Sequence, residues 1–209
     1  MRPVSRLSII LLTSVFLFTS CSALRDIQKV MTNLTRCQFK LESVDNFALS
    51  GIRLSEKKTL SDFSVTDGVK LAAAFTRDEF PASFTLNVAA VNPNDGTGGT
   101  SQTSATLTSF AWTLIVDNTL TINGDIADPI TIPGTGQKTI IPLVMNLDLA
   151  KFFKERGYDS VVNLALALGG ANSSPSRIIL RATPRIRTAL GDITYPGAID
   201  IIDKEFRAQ

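Results

Sequence analysis

Residues 83–94 read SFTLNVAAVNPN, and this stretch decides the fold class. Its apolar side chains recur at every second position: Phe84, Leu86, Val88 and Ala90. Period-two alternation is typical of a β-strand with one buried face. The strand should stop at Asn92-Pro93-Asn94, because proline donates no backbone hydrogen bond and asparagine side chains can cap the freed groups. We therefore predict a strand that ends in a polar corner with a structural role.

Upstream of this strand, the sequence predicts two strand pieces and a helix. Residues 39–44 alternate, and residues 47–54 continue with a phase break at Gly51 that indicates a bulge. A helix capped by Thr66 or Asp67 should run to about Asp78. The predicted apolar side of that helix carries Val69, Ala72, Ala73 and Phe75.

Downstream, turn residues divide the chain into further short strands. The predicted strands cover residues 106–116, 119–123, 130–132, 141–147, 162–168, 177–187 and 192–202, the last interrupted at Pro196-Gly197. A loop of Gly, Ser and Thr covers residues 96–104, and a short helix capped by Asp148 should end at Gly157. Many short alternating strands indicate a mainly β fold, a β-sandwich with one or two short helices in one domain over residues 37–209.

The first 20 residues have the three parts of a secretory signal peptide. Arg2 and Arg6 precede a mostly apolar run over residues 7–18, which is too short to span ~30 Å of hydrocarbon. Residues 17–21, LFTSC, resemble a lipobox, so we predict that Cys21 carries lipid and begins the mature protein. This lipid should hold the protein in the cell envelope, in the outer membrane facing the periplasm. The alternative is an ordinary signal peptide followed by a chance cysteine.

Residues 21–36 join this anchor to the domain. Apolar residues recur there at helical spacing: Leu24, Ile27, Met31 and Leu34. This pattern predicts a short amphipathic helix over residues 22–34. Such a helix could lie on the membrane surface or pack on the domain, and the sequence favours neither.

Charge gives little sign of a charged partner. The chain has 21 Lys and Arg against 19 Asp and Glu, and loss of Arg2 and Arg6 with the signal peptide leaves a neutral mature protein. We therefore expect no nucleic-acid binding. The basic cluster at residues 177–187 could attract anionic lipid headgroups, or could pair with acidic residues of neighbouring strands. Its members are Arg177, Arg181, Arg185 and Arg187.

The residue types argue against catalysis. The chain has no histidine, which removes the commonest general base and metal ligand. Cys37 is the only thiol left once Cys21 is acylated, and a buried, unreactive role is expected for it. Asn92, Asn94 and Asp95 could supply oxygens to calcium, but turn chemistry is the favoured interpretation. We therefore expect no enzyme activity, no cofactor and no metal.

The strand closing in Asn92-Pro93-Asn94 resembles the signature of the water-stress and hypersensitive-response (WHy) domain, which defines the type 2 late-embryogenesis-abundant (LEA) proteins. The order of parts agrees over residues 39–202, including the tryptophan-bearing strand 110–116 and the turn at residues 132–136. The resemblance implies an immunoglobulin- or fibronectin-III-like sandwich without known enzyme chemistry, linked to tolerance of desiccation and other stress. The helix near residues 66–78 and the loop at residues 95–104 depart from the family pattern.

Three functions remain open. The first is a stress-related envelope lipoprotein that acts by binding or protection. The second is a carrier of a lipid or other apolar ligand in a cleft between the sheets, which requires an enclosed apolar pocket of several hundred Å³. The third is an accessory subunit of an envelope complex, which requires a large exposed apolar patch.

Overall fold

The structure of the protein is a computed structural model that describes residues 36–97, 102–171, 177–188 and 191–203. The predicted signal peptide, Cys21, the predicted helix over residues 22–34 and the turn at residues 173–175 lie outside the described residues. Among the residues that are described, no helix is both long enough and apolar enough to cross a membrane.

Two antiparallel sheets form a β-sandwich, which confirms the predicted fold class. The first sheet has the order β2-β1-β3-β7, and its strands are β1 (Gln38–Leu49), β2 (Ile52–Arg53), β3 (Pro81–Val91) and β7 (Lys138–Asp148). The second has the order β10-β8-β4-β5, with β6 paired to β4 and β9 to β8. Its strands are β4 (Ala105–Val116), β5 (Thr119–Gly124), β6 (Ile130–Ile132), β8 (Ile178–Thr188), β9 (Gly191–Thr194) and β10 (Ile199–Ile201).

The core lies between the sheets and follows the predicted alternation. Phe84, Leu86, Val88 and Ala90 of β3 are all buried, as are the alternate residues Ile141, Leu143, Met145 and Leu147 of β7. The ring of Phe39 on β1 lies 5.4 Å from that of Phe110 on β4, so aromatic packing joins the two sheets directly. At one side edge, the backbone N–H of Leu41 donates to Ile202 O at 2.9 Å and links β1 to the end of β10.

Two tight turns set the register of the hairpins. Asp117 and Asn118 both have positive φ, 49° and 66°, as a type I′ turn between β4 and β5 requires. Ser50 and Gly51 likewise have φ of 48° and 77° between β1 and β2. The prediction of a bulge at Gly51 is therefore wrong, because this residue turns a hairpin. The irregularities of β1 lie earlier, between Leu41 and Ser43 and between Asp45 and Ala48.

Residues 162–168 were predicted as a strand, and the structure shows a helix, α3 (Tyr158–Gly169). Its leucines alternate with alanine and asparagine, which imitates a strand, but seven of the nine residues at positions 161–169 are buried. A helix that is buried almost all round carries no readable period. Leu164 and Leu166 still enter the predicted interior, although from a helix.

The helix α1 (Val65–Thr76) was predicted, but its cap and buried side differ from the prediction. Ser64 caps it, because its Oγ accepts from Asp67 N at 3.1 Å. Leu71 and Ala74 are buried, whereas Val69 is 65% exposed. Ala72 and Ala73 also face outward, so the predicted apolar side is wrong for three of its four residues. The true buried side includes the half-buried Phe75, whose ring packs edge-on against Phe80.

The short helix α2 (Leu149–Phe153) begins where β7 ends, as predicted. The carboxylate of Asp148 caps it by accepting from Ala150 N at 3.0 Å. The same oxygen accepts from Phe80 N at 2.9 Å, so the cap also holds the chain just before β3. A single 3₁₀ turn, Lys154–Arg156, and Gly157 with φ of 79° then lead into α3.

Candidate functional site

Asn92, Pro93 and Asn94 lie at one end of the sandwich, immediately after β3. Both asparagine side chains are buried, with exposed fractions of 0% and 1%. The side-chain N–H₂ of Asn92 donates to Thr103 O at 2.8 Å and to Ile132 O at 3.2 Å. Its side-chain oxygen accepts from the backbone N–H of Asn94 at 3.2 Å. Asn92 therefore ties the end of β3 in one sheet to two segments of the other.

Backbone hydrogen bonds complete this Asn-Pro-Asn corner, which we define as residues 92–94 with Thr103, Ile132, Gly134 and Gly136. Thr103 N donates to Asn94 O, and Gly136 N donates to Asn92 O, both at 3.0 Å. A Cβ at Gly134 would lie 2.5 Å from Asn94 O and from Thr103 O, so only glycine fits there. The predicted turn at residues 133–136 thus packs directly on the corner.

Two of the side-chain oxygens considered for calcium, those of Asn92 and Asp95, accept hydrogen bonds within the protein. The side-chain oxygen of Asn92 accepts from Asn94, as described above. Asp95 Oδ1 accepts from Thr97 Oγ1 at 2.7 Å and from Thr97 N at 2.9 Å, and these bonds lower the pKa of the carboxyl group. Within the described ranges, no group of three or more Cys, Asp, Glu or His is placed to hold a metal ion.

The four arginines of the basic cluster lie on or beside the outer face of β8, and each has a polar partner. Arg181 forms a two-pronged ion pair with Asp200, at 2.7 and 2.9 Å, and this contact raises the pKa of the guanidinium. Arg185 Nε donates to Thr194 Oγ1 at 3.2 Å. Arg177 and Arg187 approach Asp117 and Asp192 at 3.6 and 3.9 Å. These partners match the second interpretation of the cluster, in which its charges pair with neighbouring strands.

Cys37 is buried in the core beside β1, with 1% of its surface exposed. Burial raises the pKa of its thiol to about 11. The thiol is therefore protonated at neutral pH, which is the weakly nucleophilic form.

An open cleft lies at the side edge of the sandwich, where β7 of one sheet faces the ends of β5 and β6 of the other. We define it as Trp112, residues 125–128, Ile130 and residues 142–144, which enclose about 390 Å³. Two carboxylates, Asp125 and Asp128, are its only acidic lining groups, and the other lining residues are apolar. At the opposite side edge of the sandwich, the hydrogen bond between Leu41 and Ile202 joins the two sheets and closes the edge.

Trp112 lies against Gly124 in the wall of this open cleft. A Cβ at Gly124 would overlap the six-membered ring of the indole, so glycine is required opposite the tryptophan. Trp112 is only 7% exposed, and its Nε1–H has no acceptor among the residues that the structure describes. A buried donor without a partner costs free energy, which makes this atom unusual.

Asp125 lies at the side of the open cleft that is nearest β4. Its carboxylate accepts from Ser109 Oγ at 2.6 Å, from Ile126 N at 2.8 Å and from Phe110 N. Burial alone would raise the pKa of this carboxyl, but the three hydrogen bonds outweigh that effect and lower it. Asp125 is thus ionised at neutral pH, and it lies directly after the end of β5.

No pattern of residues in the sequence indicates the open cleft. The turn at residues 117–118 predicts a regular β4–β5 hairpin in which Trp112 would pair with Asn123. A register shift between Thr113 and Ile115 moves the pairing by one residue and places Gly124 opposite Trp112 instead. Only that shift brings the glycine under the indole.

Comparisons with known proteins give limited information. No family model matches the sequence, and no curated protein matches it. The solution structure of a candidate LEA protein shares 12% identity and a TM-score of 0.36, over 100% of this chain and 92% of that one. The crystal structure of a protein from Archaeoglobus fulgidus shares 12% identity and a TM-score of 0.34, over 81% of this chain and 98% of that one. At these values neither likeness bears on function, and the fold class rests on the strand pairing described above.

Proposed function

We propose that this protein is a lipid-anchored, non-enzymatic protein of the cell envelope whose β-sandwich acts by binding or protection during desiccation or other stress. The observation that carries the proposal is the sequence around Cys21, in which a short apolar run and two small residues precede the cysteine. An acylated Cys21 would place the whole sandwich at a membrane surface. The outer membrane, facing the periplasm, is the location that we propose.

The stress-related role is supported by the resemblance of residues 39–202 to the type 2 LEA proteins, and by the corner that carries its sharpest motif. In this corner the polar atoms of Asn92 are used for hydrogen bonds that join the sheets. Such a site suits a domain that works through its own folded surface rather than through chemistry on a substrate.

Replacing Cys21 tests the anchor. In cells that express Cys21→Ser, we expect loss of labelled palmitate and release of the protein from the membrane fraction, because two acyl chains bind far more strongly than a short amphipathic helix. Cys37→Ala is the matched control, since it removes the other cysteine and should leave labelling and fractionation unchanged. Wild-type protein without palmitate, together with a Cys21→Ser protein that stays wholly in the membrane, would contradict the anchor.

Survival of the host cells after drying and rehydration tests the protective role. We expect deletion of the gene to lower survival and wild-type protein to restore it, with Cys21→Ser restoring less. Equal survival with and without the gene would contradict protection while leaving the anchor intact.

A second candidate function, ligand carriage, is favoured by one observation. The open cleft lies between the edges of the two sheets and has a mostly apolar lining. Its volume of about 390 Å³ falls in the range of ligand-binding sites, although the cleft is open and not enclosed as expected for a carrier. Co-purification of a discrete small molecule with the protein would favour this function over a protective surface.

A further inference from the structure

We infer that the free edge of β7 is a latent pairing surface for a second copy of this chain, and that Pro142 prevents this pairing. β3 pairs with one edge of this 11-residue strand, and no strand among the described residues pairs with the other edge. An edge strand of this length is a template for pairing with another chain unless some residue blocks it. The surface does not include Cys21, so it is independent of the proposed anchor.

The hydrogen bonds between β3 and β7 show which backbone groups of β7 face the free edge. The two strands pair in one register along the whole of β7. In the same register, directly beyond the strands, Leu149 N donates to Phe80 O at 2.9 Å, which marks a hydrogen-bonded pair. Hydrogen-bonded and non-hydrogen-bonded pairs alternate in an antiparallel ladder, so the odd-numbered residues of β7 bond to β3. The backbone groups of residues 138, 140, 142, 144 and 146 therefore point to the free edge.

Pro142 is the middle member of this outward-facing set. Proline has no backbone N–H, and its ring occupies the place of that hydrogen. Within the sheet this costs no hydrogen bond, because Pro142 and Asn87 form a non-hydrogen-bonded pair. Towards a further strand, the same proline removes a donor and brings its ring against the incoming backbone. Proline at such a position is one of the features by which natural sheets avoid edge-to-edge pairing.

The side chains around Pro142 favour β7 of a second copy as the strand that would pair. Ile140 and Val144 flank Pro142 symmetrically on the outer face of β7, and they are 41% and 71% exposed. A two-fold axis at residue 142 would place Ile140 of each copy opposite Val144 of the other in an antiparallel pair. Apolar side chains opposite one another stabilise such a pair. The free edge is therefore complementary to itself except at Pro142.

Restoring the missing N–H tests the inference. Sedimentation velocity over a range of protein concentrations compares the mature full-length wild-type protein with Pro142→Thr, both in detergent solution. Threonine supplies the donor and favours strands, and position 142 is exposed, so the variant should fold. We expect it to dimerise at concentrations at least about tenfold below any dimerisation of the wild type. Assembly should stop at two copies, because a two-fold pair leaves neither β7 edge free.

Further variants locate the interface. Asn146→Thr is the matched control, because it also introduces threonine at an exposed, outward-facing position of β7 but adds no N–H. It should behave like the wild type. Adding Val144→Lys to Pro142→Thr should return the protein to a monomer, since a lysine on an edge strand opposes pairing. Pro142→Ala supplies the same donor and takes the place of Pro142→Thr if threonine prevents folding.

Amide hydrogen exchange identifies the residues that pair. In the Pro142→Thr dimer, the amides of Ile140 and Val144 should exchange at least about tenfold more slowly than in the wild type. A folded Pro142→Thr protein that stays as monomeric as the wild type would overturn the inference, as would a wild type that dimerises equally well. Dimers that persist with Val144→Lys, or unchanged exchange at Ile140 and Val144, would place the interface elsewhere and overturn it too.

Discussion

Asn92 in the Asn-Pro-Asn corner and Trp112 in the open cleft are both buried, and their polar side-chain groups differ in their hydrogen bonds. At the corner, the side-chain amide of Asn92 donates twice and accepts from Asn94, and two backbone hydrogen bonds join residues 92 and 94 to residues 136 and 103. In the cleft, the indole N–H of Trp112 is buried without an acceptor among the described residues. A satisfied buried group stabilises the fold, whereas an unsatisfied buried group costs free energy. The side chain of Asn92 therefore contributes to stability, whereas the buried indole N–H of Trp112 lowers it.

The largest expected effect on the free energy of unfolding comes from a substitution in the core between the two sheets. Leu86→Ala should lower the free energy of unfolding by about 2–5 kcal/mol, because the side chain is fully buried between the sheets and its loss leaves a cavity. Thr85→Ala, on the other face of β3, should cost well under 1 kcal/mol. Urea denaturation of the two variants gives the comparison, and similar costs for both would contradict the facing assigned to β3.

Asn92→Ala tests the corner itself. Its cost should be about 2–3 kcal/mol, more than the roughly 1 kcal/mol expected for a single cap, because three backbone groups, two of them in buried hydrogen bonds, lose their partner at once. Thermal unfolding with circular dichroism measures it. A cost below about 0.5 kcal/mol would mean that water replaces the asparagine, and the proposed contrast between corner and cleft would fail.

The pH dependence of the stability of Asp125→Asn tests the role of Asp125 in the wall of the open cleft. The folded-state pKa of Asp125 is lowered, so its carboxylate stabilises the protein above the unfolded pKa of about 3.9, and this contribution is lost as pH falls through the folded value. Asp125 is largely exposed, so we expect the variant to be less stable by only about 1 kcal/mol at pH 7. The gap between the two proteins should shrink below about pH 4. A gap that stays constant from pH 7 to pH 3 would refute the assigned role.

Pro93→Ala should have the smallest effect of the substitutions in the corner. Proline at this position stabilises chiefly by restricting the unfolded chain, so the expected cost is about 1 kcal/mol or less. The measurement is the same denaturation series as for Asn92→Ala. If Pro93→Ala costs more than Asn92→Ala, ring packing rather than side-chain hydrogen bonding holds the corner together.

Local patterns predicted the strands well where only one face is buried. The alternation in β3 appears in the structure with the predicted residues inside, and the turns at residues 117–118 and 133–136 lie between the predicted strands. The same method failed for α3, because burial nearly all round removes the helical period. It also failed to predict which side of α1 is buried, because a pattern of small residues does not show which side packs against Phe80.

The two candidate sites also differ in whether the sequence predicted them. Asn92, Pro93 and Asn94 were identified from their residue types, because capping and chain termination act within a few residues. The open cleft was not identified, because its walls come from segments that are distant in sequence, such as Trp112 and residues 142–144.

By itself, the sequence determined the period of the main strands, the position of their turns and the polar corner after β3. These features depend on backbone geometry and on hydrogen bonds between near neighbours, and both are written in residue type and spacing. Only the tertiary structure decided that residues 158–169 form a helix, that Gly124 rather than Asn123 lies opposite Trp112, and that one side edge of the sandwich is closed while the other is open. Each of these depends on packing between distant segments and on a one-residue register shift, which local propensity does not specify.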